Sequence, residues 1–256
     1  MYLEKFQLNG QIALVTGAGQ GIGLACVEAL AEAGANVIVT DQNESRTAAG
    51  AKALAAKGFS ARSYVLDVTD TDGIDRLAGR LAEAGLTPDI LVCNAGIAQA
   101  GIGAEEMPDA DWARMIDINL TGVFRCCRAF GKLMLQKGQG SIINIGSMSG
   151  QIVNRPQAQS HYNTAKAGVH HLTRSMAAEW AKRGVRVNAV APTYIDTPLL
   201  TFAKADPMFA EWLDLTPMGR LGRPDEIASA VLFLASDAAS LLTGTILSAD
   251  AGYTCW

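Results

Sequence analysis

"QIALVTGAGQGIG", residues 11–23, decides the fold. Its first half is a short apolar run ending in glycine, which reads as a strand. Its second half opens "GIGLACVEALAEAG" (21–34), where apolar residues recur at helical spacing up to a stop at Gly34. Strand, glycine-rich turn and helix in that order form the phosphate cradle of a dinucleotide-binding unit. Gly17 lets the chain turn sharply, Gly21 lets backbone approach a phosphate, and Gly23 lets the helix pack near the sheet. Gln20 and Ile22 lie in the same turn, and the N–H groups at the helix start would face the pyrophosphate. Glycines alone could equally make an ordinary tight turn. The next apolar run, "ANVIVTD" (35–41), decides between the two, because it ends in Asp41, eighteen residues after Gly23. A carboxylate there can accept both hydroxyls of an adenosine ribose. It would repel a 2′-phosphate, and none of Ala18, Gly19, Gln20 and Gln42 is basic. Arg46, the nearest positive residue, falls inside the following helix. NAD is therefore expected in preference to NADP. The plainer alternative is that Asp41 only caps that helix.

The alternation continues outward from this unit. Helical patterns at 44–58 and 71–85 alternate with apolar runs at 61–68 and 89–96. A long helix at about 109–137, "GSIINIGS" (140–147), a helix at about 161–183 and "VRVNAVAP" (185–192) follow, then a helix from Pro224 and a last strand, "GTILSAD". Several strands are continuous apolar runs, so the sheet is parallel and covered on both faces. The expected fold is α/β: a single doubly wound, Rossmann-type sheet in one domain spanning 1–256. Residues 194–218 interrupt the rhythm. They hold three prolines with Phe202, Phe209 and Trp212, and a loop of that length after a strand end is read as a substrate lid.

The 256 residues carry a formal net charge of -4, with no basic cluster to recruit nucleic acid. No run of eighteen apolar residues exists to span a membrane, and "MYLEKFQLNG" is no signal peptide. The five cysteines form no pattern of pairs, so the cytoplasm is the default compartment. The three histidines, His161, His170 and His171, lack the clustered carboxylates or thiolates of a catalytic metal site, and His170 could face either the site or an interface.

"YNTAK" (162–166) carries the chemistry. Tyr162 and Lys166, four apart, share one helix face. A charge about 5 Å from a phenol, at an effective dielectric of about 20, contributes roughly 3 kcal/mol, on the order of two pKa units. That would bring the phenol toward working pH as a proton donor. Ser149 lies thirteen residues upstream in "GSMSG".

Together, Thr16–Gly23, "NAG" at 94–96, Asn119, Ser149 and Tyr162-x3-Lys166 resemble the short-chain dehydrogenase/reductase family over nearly the whole chain. The resemblance implies Tyr162 as general acid/base and Lys166 as the group that lowers its pKa and bonds the nicotinamide ribose. Ser149 would hold the substrate oxygen. Asn119 would kink its helix and hold a water in a proton relay. Asp67 would meet the adenine and Val68 would supply backbone. Asn94, Ala95 and Gly96 would line the adenosine ribose, while Pro192, Ile195 and Thr197 would contact the nicotinamide amide and phosphates. Two positions depart from the pattern. Thr193 stands where glycine usually follows the proline, and "DAG" (250–252) replaces paired glycines.

The substrate is less legible. Gln151, Asn154, Gln157, Gln159 and His161 offer hydrogen-bonding groups near the serine, which favours a hydroxyl-rich ligand. Gln151 and Asn154, with Thr193, Leu199 and Trp212, are the candidate substrate residues beside Ser149 and Tyr162. "GSMSGQIVNRPQ" and the ending "GYTCW" resemble bacterial polyol dehydrogenases of the galactitol, sorbitol and arabinitol kind, implying NAD-dependent oxidation of a sugar alcohol or small diol. The alternatives are a 3-oxoacyl-thioester or other carbonyl reductase, against which Asp41 speaks, and a non-catalytic dinucleotide sensor, against which the retained Tyr/Lys pair speaks. The two long helices carry apolar residues beyond one face (Phe124, Phe130 and Leu133; Val169, Leu172, Met176 and Trp180), and the resemblance implies that such helices bundle between subunits of a homotetramer, the alternative being that these residues only cover the sheet. The same resemblance implies that Trp256 packs between subunits and that any Mg2+ held at the C-terminal end would be structural.

Overall fold

Short runs of branched apolar residues make the sheet. In the computed structural model, which describes residues 1–200 and 207–256, β1 (Ile12–Val15), β2 (Asn36–Asp41), β3 (Ala61–Val65), β4 (Ile90–Cys93), β5 (Gly140–Ile145), β6 (Val185–Pro192) and β7 (Ile246–Ala249) pair in the order β3-β2-β1-β4-β5-β6-β7. All the pairings are parallel. Leu14 stands beside Ile38 on one side and Leu91 on the other. The order reverses between β1 and β4, so a crevice opens at the carboxyl ends of those strands.

Helices cover both faces. The side chains of β1 alternate: Ala13 and Val15 pack with α1 (Gly21–Glu32), α2 (Glu44–Ala56) and α8 (Pro224–Ala235), whereas Leu14 points to the opposite layer. That second layer is built from α3 (Thr71–Glu83), α5 (Gly122–Lys137) and α6 (Ser160–Trp180). Phe130, Val169, Met176 and Trp180 are buried within it. These four residues therefore cover the sheet and cannot carry a subunit face. Of the seven apolar residues read toward a tetramer, Phe124 alone is exposed, while Leu133 and Leu172 are half-buried.

Two expected elements change at their ends. β3 stops at Val65 instead of reaching 68, because the Asp67 carboxylate accepts from Thr69 N at 2.8 Å and turns the chain. The helix expected at 109–137 is α4 (Asp109–Ile116) and α5, joined by one π-helical stretch at Asp117–Thr121. Asn119 lies in that stretch, fully buried. Of the expected lid, α7 (Met208–Asp214) is a short helix, and Phe202 lies outside the described residues. Among the described residues, no helix is long and apolar enough to cross a membrane.

Candidate active site

A cleft of about 600 Å³ runs across the carboxyl end of the sheet, from Asp41 to Trp212. Its first half is backbone. Gly17 and Gly21 have φ of +62° and +57°, where only glycine is relaxed. A Cβ on Gly23 would stand 2.4 Å from the Gly17 carbonyl, so the helix approaches the turn as closely as atoms permit. The Asn94 side chain ties the turn down, donating to Thr16 O at 3.0 Å and Gly17 O at 2.9 Å. Thr16 Oγ1 accepts in return from the N–H groups of Asn94 and Ala95. Asp41 closes this end, its carboxylate accepting from Gly19 N at 3.2 Å and Asn43 N at 3.0 Å.

The residues present fit a dinucleotide. Helix α1 begins at Gly21 with no side-chain cap, leaving its first N–H groups for an anion. Thr197 packs beside Gly21, where a Cβ would be 3.3 Å from Thr197 Cγ2. Gln20, Ile22, Asp67, Val68, Ala95, Gly96, Pro192, Ile195 and Thr197 all line the cleft. Thr193 Oγ1 is buried there with no hydrogen-bond partner, a hydroxyl that a bound group would satisfy. Gly23 lies behind the wall as packing.

Arg46 belongs to α2, as the sequence reading has it, and also lines the cleft. Helix α2 starts three residues after β2, so its first turn faces Gly19. A Cβ on Gly19 would sit 2.7 Å from Arg46 Cβ and 2.9 Å from Asp41 Oδ2. Arg46 and Asp41 thus line the same end of the cleft.

The second half of the cleft is made of side chains. Tyr162 and Lys166 rise from the first turns of α6, with Lys166 Nζ 5.7 Å from the centre of the Tyr162 ring. Lys166 Nζ donates to Ile145 O at 2.9 Å, and burial holds its pKa down at about 8. The expected electrostatic lowering of the phenol is not what the structure shows. Burial raises the Tyr162 pKa, and the opposing contribution is a hydrogen bond from Ser147. The ammonium is committed to a carbonyl and weakened by its own desolvation.

Both serines line the cleft, and Ser147 is the one whose hydroxyl acts on the phenol. The Ser149 hydroxyl is 3.1 Å from that of Ser147. The signal that could have found Ser147 is its place directly after β5, at the carboxyl edge of the sheet where ligands bind.

Gln157, Gln159, Thr193, Leu199 and Trp212 reach the cleft, but Gln151 and Asn154 do not. Gln151 accepts from Ser248 Oγ at the surface. Asn154 stands behind the wall, donating to the Tyr194 hydroxyl at 3.1 Å and accepting from Gln159 at 3.0 Å. Tyr194, absent from the sequence reading, stacks on Trp212 with ring centres 4.0 Å apart. Trp212 Nε1 donates to Gln157 Oε1 at 3.0 Å, and Gln157 Nε2 donates to Tyr194 OH at 2.9 Å. Trp212 is thus a buried wall residue held by a hydrogen bond and a stacking contact. The Asn119 amide is also committed, donating to Ile97 O and accepting from Ile97 N at 2.8 Å each. Its side chain braces the cleft wall, so a relay water would have to be held by its backbone.

A family model described as enoyl-(acyl carrier protein) reductase matches residues 17–254. The chain is 56% identical to a galactitol 2-dehydrogenase of Rhizobium johnstonii, over 100% of this chain and 99% of that protein. It belongs to the short-chain dehydrogenase/reductase family. A galactitol 2-dehydrogenase (L-tagatose-forming) of Cereibacter sphaeroides is 49% identical, again over 100% and 99%. Among solved structures, a gluconate 5-dehydrogenase from Burkholderia cenocepacia in complex with NADP and tartrate superposes with a TM-score of 0.95 at 36% identity, covering 100% of both chains. As a short-chain dehydrogenase/reductase the protein is an oxidoreductase that uses a nicotinamide dinucleotide.

Proposed function

We propose that the enzyme oxidises a secondary alcohol of a sugar alcohol or small diol to the ketone, and catalyses the reverse, with NAD as its dinucleotide. The observation that carries this reading is the meeting of Ser147, Tyr162 and Lys166 at the polar end of the cleft, where the Ser147 hydroxyl opposes the burial that raises the phenol's pKa. Two hydroxyls converging from separate elements form a seat for one substrate oxygen. In oxidation, Tyr162 Oη takes the proton from the alcohol while Ser147 holds the oxygen, and in reduction Tyr162 returns it. The dinucleotide, when bound, accepts or supplies the hydride. Lys166 keeps a cation beneath the phenol and anchors to the end of β5 through Ile145.

Gln157, Gln159, Ser149 and the unpartnered Thr193 hydroxyl give the cleft a polar lining that favours a ligand with several hydroxyls, because the buried Thr193 hydroxyl left unpaired by a bare hydrocarbon costs about 1–3 kcal/mol. The polyol relatives support the same class. The wall is fixed by Trp212 and Tyr194, so it sets the size of what enters. Asp41 supports NAD, although Arg46 at the same end of the cleft narrows the margin and the gluconate relative holds NADP. A homotetramer would cover Phe124 and the exposed Trp256. The free cysteines suit a reducing cytoplasm.

The test is steady-state turnover with NAD and NADP over galactitol, sorbitol, arabinitol, 1,2-diols and 3-oxoacyl thioesters. Polyol or diol oxidation with NAD is expected to dominate. Faster reduction of an acyl thioester would overturn the substrate class, and equal rates with NADP would overturn the reading of Asp41.

A further inference from the structure

His170 is buried to 3% exposure and follows Lys166 by one helical turn, yet it has no part in the chemistry above. Its ring lies between two glycines of the segment that carries Ser147. A Cβ on Gly146 would stand 2.3 Å from Nε2, and one on Gly150 would stand 2.7 Å from Cε1. No larger residue fits either position while the imidazole is there. Nδ1 faces Gly150, where an added Cβ would stand 2.8 Å from it and the backbone opposes the lowering of the imidazole's pKa, and Nε2 is buried with no partner. The ring is neutral at working pH, because burial first, then Lys166 and Arg174, hold its pKa down at about 4.

Residues Met148–Gly150 form a single 3-10 turn, capped at its start by the Ser147 hydroxyl, which accepts from Ser149 N, and at its end by Gln151 N–H on Met148 O. That hydroxyl is the one required at Tyr162. We propose that His170 is a positioning residue: its buried ring is the template on which the Gly146–Gly150 turn is folded, and it thereby sets where Ser147 stands relative to Tyr162. Lys166 and His170 then place the two halves of the proton-transfer pair from one helix, Lys166 beneath the phenol and His170 beneath the serine. The inference rests on the functional reading above for its catalytic consequence, but not for its structural one.

Two measurements separate them. In full-length enzyme, His170→Leu keeps most of the volume and removes the Nδ1 donor, whereas His170→Asn keeps a donor near the Nδ1 position. Amide hydrogen exchange at residues 146–150 is expected to run about tenfold faster in the Leu variant and to return to within about threefold in the Asn variant, the scale of one lost hydrogen bond. On the best polyol substrate, kcat should fall about tenfold in His170→Leu with the KM for dinucleotide little changed, and recover in His170→Asn. Should His170→Leu fail to fold, Gly146→Ala takes its place: its Cβ collides with the ring, and adding His170→Asn should relieve the defect. Unchanged exchange across 146–150, or an Asn variant no better than Leu, overturns the proposal. Ser147→Ala run alongside distinguishes the two readings. A normal rate in Ser147→Ala sinks the catalytic assignment, while the exchange data still decide the role of His170.

Discussion

The two halves of the cleft are built by different means. The dinucleotide half is backbone: positive-φ glycines, free N–H groups at the start of α1, and strand ends whose spacing follows from the β2-β1-β4 register. The substrate half is side chain: Ser147 after β5, Tyr162 and Lys166 on α6, Gln157 and Gln159 on a loop, and Trp212 on α7, joined by hydrogen bonds across up to 55 residues of sequence. A backbone site tolerates change in the side chains around it. A network of mutually dependent side chains does not, because each lost member leaves a buried polar partner unsatisfied.

That contrast is broken most severely at Tyr162. Tyr162→Phe should lower turnover by about 10³-fold while dinucleotide binding, followed by NADH fluorescence, stays near normal. Because the buried phenol must lose its proton to act as base, oxidation by the parent enzyme should accelerate with rising pH. An acidic optimum for oxidation would contradict the assignment.

The paired serines sharpen the comparison next. Ser147→Ala should cost about 10²-fold in kcat, and Ser149→Ala under about tenfold, since Ser147 is the one whose hydroxyl acts on the phenol. Equal losses would show that the two hydroxyls act as a unit.

Acid stability tests the same half without substrate. The folded pKa of His170 is about 4 against 6.5 when unfolded, so the unfolded chain binds the extra proton between those values. Stability should fall as pH drops from about 6.5 to about 4, by up to about 3 kcal/mol, and level off below. Urea midpoints measured across that range, with His170→Asn showing a flatter profile, check it.

In the dinucleotide half the effects should be smaller. Asp41→Ser combined with Gln42→Arg is expected to move the NADP-to-NAD ratio of kcat/KM by roughly tenfold to a hundredfold toward NADP, with polyol preference unchanged. A change in polyol preference would show the two halves to be coupled. The smallest effect is at Ala251, the only non-glycine residue with positive φ among those described, at 54°. Ala251→Gly should raise stability by up to about 1 kcal/mol, because the departure from paired glycines places a Cβ in a left-handed conformation.

The contrast also explains what could be read without a structure. Gly17, Gly21, Gly23 and Asp41 are legible because their roles are local: a turn, a helix start and a strand end lie within thirty residues, and periodicity places each. Tyr162 and Lys166 are legible for the same reason, since helical spacing puts them on one face. Misreadings came where the path of a loop decides. Gln151 and Asn154 as substrate contacts, and the choice between Ser149 and Ser147 at the phenol, depend on loop geometry. Phe130, Val169, Met176 and Trp180 were read toward a subunit face because periodicity shows that a helix has apolar residues beyond one stripe, but not how deep its neighbours are.

The sequence by itself determined the order of strands and helices, the phosphate turn and the spacing of the phenol and ammonium, since each depends on residues within one or two elements. Only the tertiary structure decided which serine acts on Tyr162, which amides reach the cleft, and that burial raises the phenol's pKa. Those outcomes depend on desolvation and on contacts between elements far apart in the chain. Both are properties of packing, which no local pattern of residues encodes.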